Sequence, residues 1–387
     1  MTKRLLASFA AAALLACPAR EPSKLRVGFI NSVTGAEAPI GENLTNGVAL
    51  AIEDLKKQGI DVEVIKEDDT GKPEKAMAAF EKLATRDGVA GVVGPYTSKC
   101  AAAISRLAEK YKTPLVIPAA SKEEITRQPG IRWTFRVSAT TEDYATILLS
   151  MAQALGAPKT MAIIDENTDF GTSGAKSAKE YAARHGLTVV AEEAYAKGSP
   201  DYRSTLASIK AKKPDLVFMV SYVADAILLM RQSREIGLAP QAFLGAGAGF
   251  ATVQFAQEQD ISNDVFSSTQ WTRDVNWPGA KEFADRYVKA FGKEPTYHAA
   301  NAYQSMMILA RTAAQAGGNR DALRELLKKG KWSGLLGEVA FIDYDGYVDQ
   351  NRHQMLVEQI RSGRHETVWP PQFASAKPVW PFPGWGR

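Results

Sequence analysis

Residues 92–121 read VVGPYTSKCAAAISRLAEKYKTPLVIPAAS. Two apolar runs bracket a helical stretch over about 98–111. The first stops at Gly94-Pro95 and gives way to Tyr96, Thr97 and Ser98; the second, Leu115 to Pro118, stops before Ala119, Ala120 and Ser121. A strand–helix–strand unit of this kind, when repeated, builds a parallel sheet covered by helices on both faces. Ligands of such open sheets bind beyond the carboxyl ends of the strands, where the following helices begin. Helix N-termini carry unpaired N–H groups and partial positive charge, so they favour anions. Thr97, Ser98 and Ser121 beside free amides would make a cradle suited to a carboxylate. The competing explanation is local: Ser is a preferred N-cap, stabilising a helix by about 1 kcal/mol with no ligand at all.

The same alternation extends in both directions. Before the quoted stretch come LRVGFI (25–30), a helix in ENLTNGVALAIEDLKKQG (42–59), VEVIKED (62–68) and a helix over about 73–85. In the first helix, Leu44, Val48, Ala51, Ile52 and Leu55 recur at helical spacing and Gly59 closes it. After a join near FRVSATTEDYA (135–145) the pattern restarts. TMAIIDEN (160–167), LTVVAEEAY (187–195), DLVFMVSY (215–222), QAFLGAGAG (241–249) and DVFSSTQWT (264–272) are strand candidates. Two similar α/β lobes are therefore expected, one over about 25–140 and one over about 141–268. A helical stretch from Gly279 to Gly330 and a strand GEVAFID (337–343) follow. The tail VWPPQFASAKPVWPFPGWGR (368–387) reads as extended chain packing its aromatics on a lobe.

The ends and the composition narrow the function. At 387 residues two domains are the natural expectation, and 45% hydrophobic residues suit a large core. The net charge of +4 includes Lys3 and Arg4 and is +2 without residues 1–16, with basic residues spread out. This argues against nucleic acid as a partner. A short basic start and an apolar run from Leu5 to Leu15 fit a secretory signal over 1–16 and are too short to cross a bilayer. Leu14-Leu15-Ala16-Cys17 resembles the lipoprotein cleavage box, with the Cys17 thiol taking the lipid; ordinary cleavage after Cys17-Pro18-Ala19 is the other reading. A lipidated Cys17 leaves Cys100 without a disulfide partner.

Taken together, GFINSVTGAEAPIGENLTNGVALAIED (28–54), residues 92–126, DFGTSGAKSAKEYAARHG (169–186), SPDYRSTLASIKAKKPDLVF (199–218) and GKEPTYHAANAY (292–303) resemble the periplasmic binding proteins for branched-chain amino acids and amides. These deliver solutes to ATP-driven importers. The resemblance implies two Rossmann-like lobes with parallel sheets (the type I arrangement), joined by three crossings with the ligand between them. The first lobe would take 25–140 and 269–340, the second 141–268 and 341–387. It further implies no cofactor, a monomer, and permease and ATPase partners, with membrane attachment through the lipid on Cys17. By motif, carboxylate donors fall on Ser98, with Thr97 beside it, on the Ala119 backbone and on Ser121. Phe170 would close over the ligand and Tyr222 would form the opposing wall. Gly247 lies near the place where amino-acid binders commonly carry an acid that holds the ligand's ammonium, but GAGAGF (245–250) has no carboxylate. Ile40 also stands where an aromatic is often found. A buried ammonium without a partner is costly, so a carboxylate lacking an amine is the alternative ligand. Asp225 could substitute for the missing acid, though a solvent-facing place on a helix start is the plainer expectation. Trp271 is read equally as cleft wall or hinge packing.

Other chemistry was sought in the residues. GAGAGF has Phe250 where a nucleotide loop needs its third glycine, and FGTSGAKS (170–177) lacks the glycine spacing of a nucleophile elbow. His185, His298, His353 and His365 have no metal-site spacing and are expected mostly at the surface. Asp201 in SPDYR reads as a helix cap. The expectation is a solute receptor without catalysis; a sensor working through a membrane partner shares the same fold, and an enzyme on this scaffold is the third alternative.

Overall fold

The computed structural model describes residues 24–386; the expected signal segment and Cys17 lie outside them. The two halves of the alternation form two seven-stranded sheets. Edge to edge, the first runs Ile342–Tyr344, Tyr347–Gln350, Thr134–Arg136, Leu115–Ile117, Val92–Val93, Leu25–Asn31 and Val62–Asp68. All its pairings are parallel except the hairpin formed by the first two. The second runs Arg364–Trp369, Leu356–Arg361, Phe266–Thr269, Ala242–Gly245, Leu216–Val220, Thr160–Glu166 and Thr188–Tyr195. Its last five strands are parallel and its first two pairings antiparallel. Counted from its own start, each half has the strand order 2-1-3-4-5, the doubly wound arrangement that leaves a crevice at the strands' carboxyl ends.

The central strands show why the pattern was legible. Leu115, Val116 and Ile117, and all five residues of Leu216–Val220, are fully buried. Helices cover both faces, so there is no polar alternation. Among the described residues no helix is long and apolar enough to cross a membrane.

Two expectations are corrected. The change of lobe placed at 341 comes later, because Ile342–Tyr344 and Tyr347–Gln350 join the first sheet beside Thr134–Arg136. GEVAFID is not one strand: Gly337–Ala340 pairs with Lys331–Gly334 in a separate hairpin, and the run breaks at Phe341. Leu356–Arg361 and Arg364–Trp369, which the sequence reading did not single out, are strands of the second sheet, in the half given to residues 341–387. The rest of the tail packs as expected. The Phe382 and Trp385 rings lie 5.3 and 5.5 Å from Phe243, and Trp380 lies 6.0 Å from Phe266.

Where the chain passes between the sheets, buried amides tie the segments together. Gln270 Oε1 accepts from the Ala139 amide and from Asn301 Nδ2, both at 2.9 Å. Gln350 Nε2 donates to the Ser138 carbonyl at 2.9 Å, and Asn351 Nδ2 to that of Val137 at 3.1 Å.

Candidate functional site

The strand ends of the quoted stretch meet in the crevice. Gly94 has φ +124, and a Cβ there would sit 2.1 Å from the Ile30 carbonyl oxygen, so only glycine lets the chain turn here. Thr97 then takes the N-cap position of helix Ser98–Tyr111, but its side chain makes no capping bond. Ser98 is the first helical residue, and its Oγ accepts from the Lys122 amide at 3.2 Å. Ser121 precedes a three-residue 3₁₀ turn, Glu123–Ile125, whose cap position is Lys122. Neither serine is a helix cap, so the local explanation for the hydroxyls fails. Ser121 Oγ lies 2.9 Å from the Tyr144 hydroxyl and 3.2 Å from the Ala119 carbonyl oxygen. The amides of Ala119, Ala120 and Ser121 donate to no acceptor among the described residues.

Arg136 shapes this loop from behind. It is fully buried and donates to the Lys122 carbonyl at 2.6 Å, to Thr126 Oγ1 at 2.8 Å and to the Ala120 carbonyl at 3.4 Å; the Gln350 side-chain oxygen is a further partner. The guanidinium thus engages carbonyls of the loop that carries Ser121.

Ten residues line a tight cavity of about 10 Å³ between the two sheets, room for about one water: Tyr96, Ser98, Ala119, Ala120, Ser121 and Tyr297 from the first half, and Tyr144, Phe170, Tyr222 and Ala248 from the second. Five residues expected at the site, Ser98, Ala119, Ser121, Phe170 and Tyr222, thus line one cavity. The Phe170 and Tyr222 rings lie 5.4 Å apart, and Tyr222 meets Tyr96 edge-on at 5.7 Å. Gly249 packs against the Tyr222 backbone, where a Cβ would come within 2.6 Å of the Tyr222 carbonyl carbon. Thr97 is buried but not in the lining, and Gly247 is adjacent to the lining residue Ala248. Trp271 is not in this lining; it meets Phe283 edge-on at 5.6 Å and lines a neighbouring cavity with Thr296 and Tyr297 of the first half and Ala251 and His365 of the second.

Tyr96, Ala120, Tyr144, Ala248 and Tyr297 are the lining residues not among the expected site residues. Tyr144 receives Gln270 Nε2 at 2.6 Å, and the Tyr297 hydroxyl accepts from the Ala248 amide at 3.2 Å. These two phenols lie 3.4 Å apart, so a chain of hydroxyls runs from Ser121 through Tyr144 to Tyr297.

No carboxylate lines the cavity. Asp225, expected to face solvent, is instead buried; its carboxylate accepts from the Tyr202 hydroxyl at 2.9 Å and the Gly198 amide at 3.1 Å. Glu166 is occupied by the Tyr222 amide at 3.0 Å and Thr168 Oγ1 at 2.7 Å. Burial pushes its carboxyl up to about 7 although Lys197 opposes the shift. Glu37 pairs with Lys197 across the cleft, with the ammonium 3.9 Å over the Tyr222 ring. Lys122 and Asp169 form a second bridge at 3.0 Å between the halves. Among the described residues no cluster of His, Cys, Asp and Glu could hold a metal ion.

The histidines are not mostly at the surface: His298 and His353 are buried. His298 stacks on Tyr297 at 3.9 Å, and burial lowers its pKa from 6.5 to about 3. A pKa depressed on folding contributes stability above 6.5 that is lost as pH falls toward 3. Relative to the native chain, His298→Phe should therefore gain stability by about 1.4 kcal/mol per pH unit below the unfolded histidine value, or about 2 kcal/mol between pH 7 and pH 5. Urea unfolding of both proteins at the two pH values checks this; parallel pH profiles would contradict it.

A family described as "Periplasmic binding protein" matches residues 24–364, most of the chain. The chain belongs to the periplasmic binding protein family. A relative of this binding protein, Leu/Ile/Val-binding protein homolog 7 of Brucella suis, is 28% identical over 96% of this chain and 97% of its own. The branched-chain amino acid transporter substrate-binding protein LivJ of Streptococcus pneumoniae, solved with isoleucine, superposes with TM-score 0.80 at 24% identity, covering 92% of this chain and 100% of its own. A solute-binding protein of Rhodopseudomonas palustris, solved with benzoate, superposes with TM-score 0.81 at 19% identity over 92% and 97%. The binding protein thus shares one fold with carriers of two ligand chemistries.

Proposed function

We propose that this chain is the extracytoplasmic solute-binding component of an ABC importer, and that its solute is a small carboxylate without an amine. Family membership supports the importer role. One observation carries the ligand reading: the cavity offers hydroxyls and free amides at one end and aromatic rings around them, but no carboxylate. An anion is well served by such donors. A buried ammonium would meet ring faces at Tyr96, Phe170 and Tyr222 and neutral hydroxyl oxygens but no opposite charge, a weaker compensation. The solute docks its anionic end on the first half, and the second closes with Phe170 and Tyr222; it favours closure only by as much as it binds that form better.

The Leu/Ile/Val-binding relatives favour an amino acid as the second reading. Thermal shift and calorimetry with leucine, isoleucine, benzoate, 3,4-dihydroxybenzoate and 4-methylpentanoate separate the two. Stabilisation by the amine-free acids alone is the expected result, and stabilisation by leucine or isoleucine alone would reverse it. Mass spectrometry of the same incubations should recover each acid unchanged; turnover would make the chain an enzyme. The first residues support export and a lipid on Cys17, which mass spectrometry of the mature N-terminus would test. A neighbouring permease and ATPase encoded beside this chain would support import over sensing.

A further inference from the structure

The phenols of the cavity are not equivalent. Tyr144 and Tyr297 are committed to Gln270, Ser121 and the Ala248 amide. Tyr96 is only 4% exposed and lines the cavity, yet its hydroxyl has no hydrogen-bond partner. Its ring is held on two sides, edge-on to Tyr222 at 5.7 Å and to His298 at 5.6 Å. Neither neighbour supplies the missing bond.

A buried hydroxyl left unpaired is unfavourable, and packing alone would be served as well by phenylalanine. A site containing such a group discriminates strongly in favour of a ligand that completes the bond. We propose that Tyr96 is a specificity-determining residue that reads a hydroxyl on the solute, so that the amine-free ligand is a hydroxylated carboxylate. This rests on the amine-free reading and sharpens it. Tyr96 and Ser98 lie two residues apart on the same strand-to-helix turn, so one short segment would hold both functional groups of the solute. Burial and the neighbouring Glu37 and Glu166 keep the phenol protonated, well above its ordinary range, so it can donate as well as accept.

The test uses calorimetric titration of the whole binding protein and of Tyr96→Phe. The probes are benzoate with 2-, 3- and 4-hydroxybenzoate, and 4-methylpentanoate with 2-hydroxy-4-methylpentanoate. At least one hydroxylated acid should bind the native protein about tenfold or more tighter than its parent, the order expected for one buried hydrogen bond. Tyr96→Phe should reduce that advantage, the ratio of the two affinities within one protein, to about twofold, with the melting temperature without ligand close to native. Equal affinities for hydroxylated and parent acids, or an advantage that survives in Tyr96→Phe, would overturn the assignment and leave the amine-free reading standing. Binding of leucine with no binding of either parent acid would overturn both.

Discussion

Replacing Ser98 and Ser121 together by alanine should weaken binding of the carboxylate solute by roughly 2–4 kcal/mol, the scale of two hydrogen bonds to a charged group. The fold should barely notice. Ser98 Oγ serves only the Lys122 amide, and Tyr144 keeps Gln270 and Tyr297 when Ser121 Oγ is removed. Since neither side chain caps a helix, the melting temperature without ligand should stay within a few degrees of native. Calorimetry and thermal melts on one preparation decide the matter. A variant that binds normally, or one that loses fold stability in proportion to affinity, would mean these hydroxyls serve the scaffold instead.

Arg136→Ala should do the opposite, damaging the fold first and binding as a consequence. The side chain is fully buried, and its removal leaves the Ala120 and Lys122 carbonyls, Thr126 Oγ1 and the Gln350 oxygen without their donor. It also removes the positive charge that partly offsets the burial of Asp143. Breaking such a buried charged network destabilises by about 3–5 kcal/mol. Urea unfolding should show that loss, and the solute's affinity should fall with it because residues 119–121 lose their support. Arg136→Ala with native stability would show that the loop holds its shape unaided.

Much of this was legible locally. Parallel strands buried on both faces announce themselves as apolar runs, and their carboxyl ends are neighbours in sequence of Ser98 and Ser121. What stayed hidden came from other segments. Tyr144 and Tyr297 reach the cavity from helices that begin after separate crossings; Tyr297 lies within GKEPTYHAANAY, but the resemblance carried no site role to it. Buried Glu358 and Gln359 disguised the strand Leu356–Arg361. The late change of lobe had a readable signal, since Asp345-Gly346, both with positive φ, is a two-residue hairpin turn between Ile342–Tyr344 and Tyr347–Gln350.

The lone cysteine among the described residues has a practical side. Cys100 is fully buried, and burial drives its thiol up to about 12, so almost none of it is the reactive thiolate near neutral pH. A maleimide dye offered to a version beginning at Lys24 would find no native competitor. Val33, 49% exposed, lies on the rim where Ala38 and Pro39 face Gln254 from the other half. A fluorophore coupled to cysteine at that position would report the cleft's movement as a change in brightness, turning the receptor into a sensor of its own cargo.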